Sequence, residues 1–208
     1  MQIKSLNALL ISILLCPLVT LGQEEVKKGK TQFSIYGFGR ANLVWDSQDL
    51  GGNEAYIPNK IQVDGPTNPN FFIGVRQTRV GIDIKQPFGE DQLEMKIEGD
   101  FKGCSDVTGS FHLRHAYAKY KFLTIGMTWS NFFDIDANPN TVDFEGPNSS
   151  TLSRSPQLRL ATYKSKNELS ISFENPVEKI TGGDSVEVLP VRMPDIIGAY
   201  RINGDFGF

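Results

Sequence analysis

Gln92-Leu93-Glu94-Met95-Lys96-Ile97-Glu98-Gly99-Asp100-Phe101 alternates apolar and polar residues almost one for one. Leu93, Met95, Ile97 and Phe101 fall on one face, and Gln92, Glu94, Lys96, Glu98 and Asp100 on the other. A strand with a two-residue period sends those two sets to opposite sides of a sheet. A soluble sandwich strand seldom needs one face this charged. The wall of a membrane barrel does, because lipid wets one side and water the other.

Seven or eight such segments recur between Gln32 and Ile202. In Gln32–Asp46 the odd positions Phe33, Ile35, Gly37, Gly39, Ala41, Leu43 and Trp45 are apolar or small. The even face carries Gln32, Ser34, Tyr36, Arg40, Asn42 and Asp46. A long polar connection, Ser47–Asn70, precedes Phe72–Lys85, where Val80, Ile82 and Ile84 oppose Gln77, Arg79, Asp83 and Lys85. A short turn at Gln86–Asp91 enters the quoted strand. Lys102–Ser110 then leads to Phe111–Lys121, a tight link near Lys121, and Phe122–Ser130. The long Asn131–Ser155 precedes Gln157–Tyr163, a turn at Lys164–Asn167 and Glu168–Glu174. Asn175–Pro194 and Asp195–Ile202 complete the series. Long and short connections thus alternate, as in an outer-membrane barrel with outside loops and periplasmic turns. Trp45 and Trp129 stand at strand ends beside long loops, where an interfacial aromatic girdle is expected. The competing reading of the same pattern is an exported soluble β-sandwich.

Residues 1–22 read as a secretory signal: Lys4, then an apolar run from Ala8 to Leu21, then Gly22-Gln23 as a cleavage point. Leu15 precedes Cys16 where a lipid-attachment site calls for a small residue, so Sec export without lipidation is expected. Removing the signal leaves 20 basic against 24 acidic residues, a charge of −4, too mild to imply a nucleic-acid partner. Cys104 is then the sole cysteine, which excludes an intrachain disulfide. Mean hydropathy is −0.25, and no later apolar run approaches the roughly 20 residues of a membrane helix. Hydrophobicity in a membrane would have to be hidden in alternation.

Several strings resemble the DcaP-like outer-membrane porins. They are Arg76-Gln77-Thr78-Arg79, Glu98-Gly99-Asp100-Phe101, Arg114-His115-Ala116-Tyr117 and Gly126-Met127-Thr128-Trp129-Ser130-Asn131-Phe132. Phe144-Glu145-Gly146-Pro147, Gln157-Leu158-Arg159, Glu174-Asn175-Pro176 and Pro194-Asp195 continue the series. Their order carries the match, from about Phe33 to the end. The resemblance implies an all-β, transmembrane antiparallel barrel of about sixteen strands, assembled as homotrimers in Gram-negative outer-membrane lipid. It implies passage of small hydrophilic, often anionic, solutes, with no enzymatic step and no cofactor. Some members carry a coiled coil before the barrel, for which residues 23–31 are too short. Asn203-Gly204-Asp205 signals a hairpin, yet only Phe206-Gly207-Phe208 follows. Residues 32–208 therefore read as the N-terminal part of a porin, with about eight strands. A complete eight-stranded barrel plugged by its own side chains is the alternative.

A diffusion pore needs a constriction with a charge pattern. In general porins the third outside loop, here residues 131–155, folds inward. It carries Asp134, Asp136, Asp143 and Glu145. Inward parity collects Arg40, Arg79, Arg114, Arg159 and Arg201, one per strand on five strands. Acids on a loop facing arginines on a wall set a transverse field. The plainer reading is that the arginines pair with wall acids such as Glu98, Asp100 and Glu174. Arg76 has the wrong parity for the ladder. Asp134, Asp136, Asn138 and Asn140, with Glu145 twelfth, also match calcium-loop spacing, but Pro139 stands where that loop demands glycine. A polar loop making Asx turns is the expectation, with Ca2+ the weaker one.

His112 and His115, three apart in a strand, are expected on opposite faces, unable to share a substrate. Ser110 and His112 share a face but lie about 6–7 Å apart, too far for a nucleophile–base pair. Catalysis is not expected, and an outer-membrane hydrolase ranks behind both the porin and a closed structural or adhesive barrel. Parity sends His115, Tyr117 and Lys119 outward. Together with the small Gly37, Gly39 and Ala41 face, that suggests a subunit interface, or a Lys119 that snorkels.

Overall fold

The computed structural model describes residues 24–28, 31–48, 61, 68–104, 109–139, 141, 152–164, 166–176 and 192–202. They form eleven strands: β1 (Glu24–Lys28), β2 (Thr31–Phe38), β3 (Asn42–Asp46), β4 (Asn70–Gly74), β5 (Arg79–Phe88), β6 (Asp91–Asp100), β7 (His112–Tyr120), β8 (Leu123–Trp129), β9 (Arg154–Lys164), β10 (Asn167–Glu174) and β11 (Asp195–Arg201). Nine join one antiparallel sheet in the order β1-β2-β5-β6-β7-β8-β9-β10-β11, and β3 pairs with β4 apart from it. β1 and β11 each have a single neighbour, so the described strands form an open wall and not a closed eight-stranded barrel.

Burial is inverted relative to a soluble protein. Phe72 and Ala161 are the only buried hydrophobic residues among those described, while Glu98, Asp100, Arg114, His115, Gln157, Ser172 and Glu174 are all buried. Ile97 is 52% exposed beside Glu98 at 7%. Register explains the pattern. Ile82↔Ile97, Ile84↔Met95 and Val80↔Gly99 stack on one side, and Asp83↔Lys96, Gly81↔Glu98 and Arg79↔Asp100 on the other. Facing residues of antiparallel strands share a face, so the polarity of β6 spreads to its neighbours. With Leu93, Met95 and Ile97 outside any closed interior, a sandwich has no core to build.

Four connections at one end are tight, closing on Lys28↔Thr31, Phe88↔Asp91, Tyr120↔Leu123 and Lys164↔Asn167. Gly89 and Lys121 open two of them with φ of 64° and 52°, the left-handed conformation that two-residue hairpins require. Lys121 lies 2.9 Å from Asp91, and that carboxylate raises the pKa of its ammonium. The other end carries the long connections. There the strand expected over 32–46 breaks at Gly39–Ala41, where Arg40 N donates to Thr78 Oγ1 (3.1 Å). Its continuation, β3, pairs with β4 as a projecting ribbon. β1 had no counterpart in the sequence pattern.

Candidate functional site

The polar face is the chemically equipped surface. Its upper half is a continuous network. Lys96 Nζ bridges Asp83 (3.1 Å) and the Tyr36 hydroxyl (2.9 Å), which donates to Glu98 Oε2 at 2.8 Å. Glu98 Oε1 takes Arg114 Nε at 3.0 Å and the Arg79 guanidinium at 3.4 Å. Arg114 also reaches Asp100 at 2.9 Å, and His112 Nδ1 meets that same carboxylate at 2.9 Å. Gly81 makes this possible. The Tyr36 ring lies across it so closely that a Cβ would sit 2.3 Å from Cζ. Buried carboxylates survive away from water only when charged partners and hydrogen bonds answer them. Here Glu98 has Tyr36, Arg114 and Arg79, and Asp100 has Arg114, His112 and the Lys102 amide.

A β-bulge in β7 builds half of this network. Glu98 pairs with His115 and Gly99 with Leu113, so Arg114 is the extra residue. Bulges re-aim side chains, and this one puts Arg114 and His115 on the same polar face. The parity of the rest of β7 flips: Tyr117 pairs with Lys96 and Lys119 with Glu94. His115, Tyr117 and Lys119 therefore face the polar side, contrary to the outward placement read from the sequence. The subunit-interface and snorkelling arguments for them fall with it. His112 and His115 also share a face, though each has its own partner: Asp100 for one, Thr128 Oγ1 (3.1 Å) for the other. Trp129, expected in an outward girdle, packs its ring 5.7 Å from His115 and under the Arg154 guanidinium at 4.7 Å. It lies beyond the last β7–β8 pair, Ala116↔Met127, while still paired with Arg154 of β9. Arg154, the first residue of β9, belongs to this cluster, although the pattern began that strand at Gln157. The adjacent polar pair Arg114-His115, followed by small apolar Ala116 and Ala118, was the available signal for the phase change.

The lower half is a cleft of about 520 Å³ whose lining includes Lys119, Arg159, Tyr163, Glu168 and Arg201, covered by Phe132, Phe133 and Asp134. Arg159 donates to Gln157 Oε1 at 2.9 Å and to the Trp129 carbonyl, both neutral acceptors, while the carboxylates of Glu174 and Glu168 act on its charge from further off. Lys119 stands over the Tyr163 ring, 5.5 Å from its centre. Arg201 holds Asp134 at 2.9 Å and Asp136 at 3.3 Å. Those two acids sit on a single 3-10 turn, Ile135–Ala137, which Asp134 caps through its own Oδ1. Both carboxylates are therefore directed at a guanidinium. Asp143, Glu145 and Asn140 of the expected loop lie outside the described residues.

The arginine ladder divides. Arg79 and Arg114 are spent on Glu98 and Asp100, and Arg114 is 6% exposed. Arg159 and Arg201 border the cleft. Arg40 lies in the break between β2 and β3 with Nε on Asn42 Oδ1 (2.9 Å), and not on a wall strand. Arg76 lies between β4 and β5 and donates to the Cys104 carbonyl. Among the described residues no three His, Cys, Asp or Glu side chains gather as a metal site.

Residues 22–195 match the DcaP outer membrane protein family. The outer membrane channel DcaP of Acinetobacter baumannii, a solved crystal structure, superposes on 79% of this chain with a TM-score of 0.64 and 29% sequence identity. The chain spans 46% of that channel, about half its length. No curated protein sequence gives a significant match.

Proposed function

The chain belongs to the DcaP outer membrane protein family, and from that premise we propose that its open wall is part of a porin through which small hydrophilic solutes diffuse passively. The apolar face meets outer-membrane lipid, and the polar face lines a water-filled lumen. The observation that carries this reading is the inverted burial of β6, Ile97 outward and Glu98 inward. Closure needs strands between β11 and β1, which we assign to a larger barrel of about sixteen, assembled as a homotrimer after Sec export. The tight turns then face the periplasm and the long connections the exterior.

Passage needs no cofactor and no catalytic group; the wall supplies only shape and field. Anionic solutes are favoured beside Lys119 and Arg159, which among the described residues form no ion pair within 4 Å. The Arg79–Arg114 sector is neutralised by its acids and acts as scaffold. Planar-bilayer recording of the full-length protein tests both levels. Folded protein produces single-channel steps, and Arg159→Gln moves the reversal potential toward cations. Absence of steps contradicts the porin reading, and an unmoved potential contradicts the role of Arg159 alone.

A further inference from the structure

The connection after β8 does not leave the wall. Asn131 N donates to the buried Glu174 Oε1 at 2.8 Å, its Nδ2 donates to the Ile197 carbonyl at 3.4 Å, and its Oδ1 accepts from Ser170 Oγ at 3.0 Å. Ser172 Oγ braces the same Glu174 oxygen at 2.7 Å. This is a charge-assisted tie in a water-poor setting, the strong kind. From there the chain runs down the polar face across β10 to β11. Arg201 pairs with Glu168, close to the tight-turn end. It stands four positions on from Ile197, about 13 Å along the strand. The segment 131–136 is thus a strap laid over the lower wall, fixed firmly at its upper end.

Its lower end is held differently. Asp134 and Asp136 meet the wall through Arg201 alone among the described contacts, and Asp136 is 76% exposed on its side chain. Exposed ion pairs are weak and screened by salt. Phe132 and Phe133 ride between the two ties and cover the cleft.

We propose that Arg201 is a positioning residue that sets the size limit of the pore, by pinning the lower end of this strap against β11 so that Phe132, Phe133 and Asp134 hold a fixed place in the lumen. This rests on the porin reading. The hinge is at Asn131, because it is tied to the buried Glu174, and the movable end is at 134–136. Losing the pin lets that end leave the wall and the aperture lose its definition.

Full-length protein in proteoliposomes, assayed by swelling in uncharged sugars of increasing size, tests it without interference from charge selectivity. Arg201→Gln abolishes the size cut-off of the parent and admits a sugar that the parent excludes. Arg201→Lys, which keeps the cation, restores the cut-off. The double variant Asp134→Asn and Asp136→Asn matches Arg201→Gln. It touches no wall strand, and the amide that replaces the Asp134 carboxylate retains an oxygen to cap the turn, so it serves even where Arg201→Gln fails to fold. A parental cut-off in both uncharged variants overturns the proposal. A parent that admits no sugar overturns the porin reading, and this inference with it.

Discussion

Arg114 shows how alternation can leave two readings of one residue side by side. Its place on the polar face was legible from alternation, and its strand was correctly located. Its partners Glu98 and Asp100 stood in the plainer reading, arginines pairing with wall acids, and that pairing forms through a bulge that inserts Arg114 between them. Alternation records which side a residue takes, and neither bulges nor cross-strand distances appear in it. The same blind spot inverted His115, Tyr117 and Lys119, and hid Arg154 at the start of β9. With Glu98 and Asp100 both buried, removing their shared cation leaves two carboxylates under-compensated. Arg114→Ala is expected to cost about 3–5 kcal/mol, read as a lower unfolding temperature of the folded barrel on heating. A variant that unfolds with the parent contradicts the structural role given to this arginine.

At the scale of elements, β5, β6, β9 and β10 followed their sequence parity closely, because each pairs without interruption on at least one side. The β2–β5 pair departed from it at Gly39–Ala41, where two strands read as continuous break into wall and ribbon. Beyond the backbone ladders, the side chain that ties β2, β5 and β6 together is Tyr36, its ring seated on Gly81 and its hydroxyl between Lys96 and Glu98. Glycine in a strand interior is ordinarily a weakness, and here it is the seat of an aromatic ring. Gly81→Ala places a methyl group inside that ring and is expected to destabilise by about 1–3 kcal/mol. Gly39→Ala, whose Cβ meets nothing within 4 Å, should leave denaturant unfolding unchanged. Equal midpoints for the two variants contradict the account of the Tyr36 seat.

For the whole molecule, everything said of solutes, arginines and strap depends on which way the wall faces. The two-residue period in 92–101 was enough to state that orientation, and the inverted burial agrees with it. The number of strands needed for closure lies in pairings that β1 and β11 do not make with each other. Orientation is open to direct test by a nitroxide scan along β6, in a Cys104→Ser background, with single cysteines at each position from 93 to 97 in the reconstituted full-length protein. Collisional relaxation by oxygen reports lipid, and relaxation by a water-soluble nickel chelate reports water. Oxygen maxima at Leu93, Met95 and Ile97, with nickel maxima at Glu94 and Lys96, are the predicted outcome. Oxygen maxima at Glu94 and Lys96, or neither reagent reaching Leu93, Met95 and Ile97, would contradict the account.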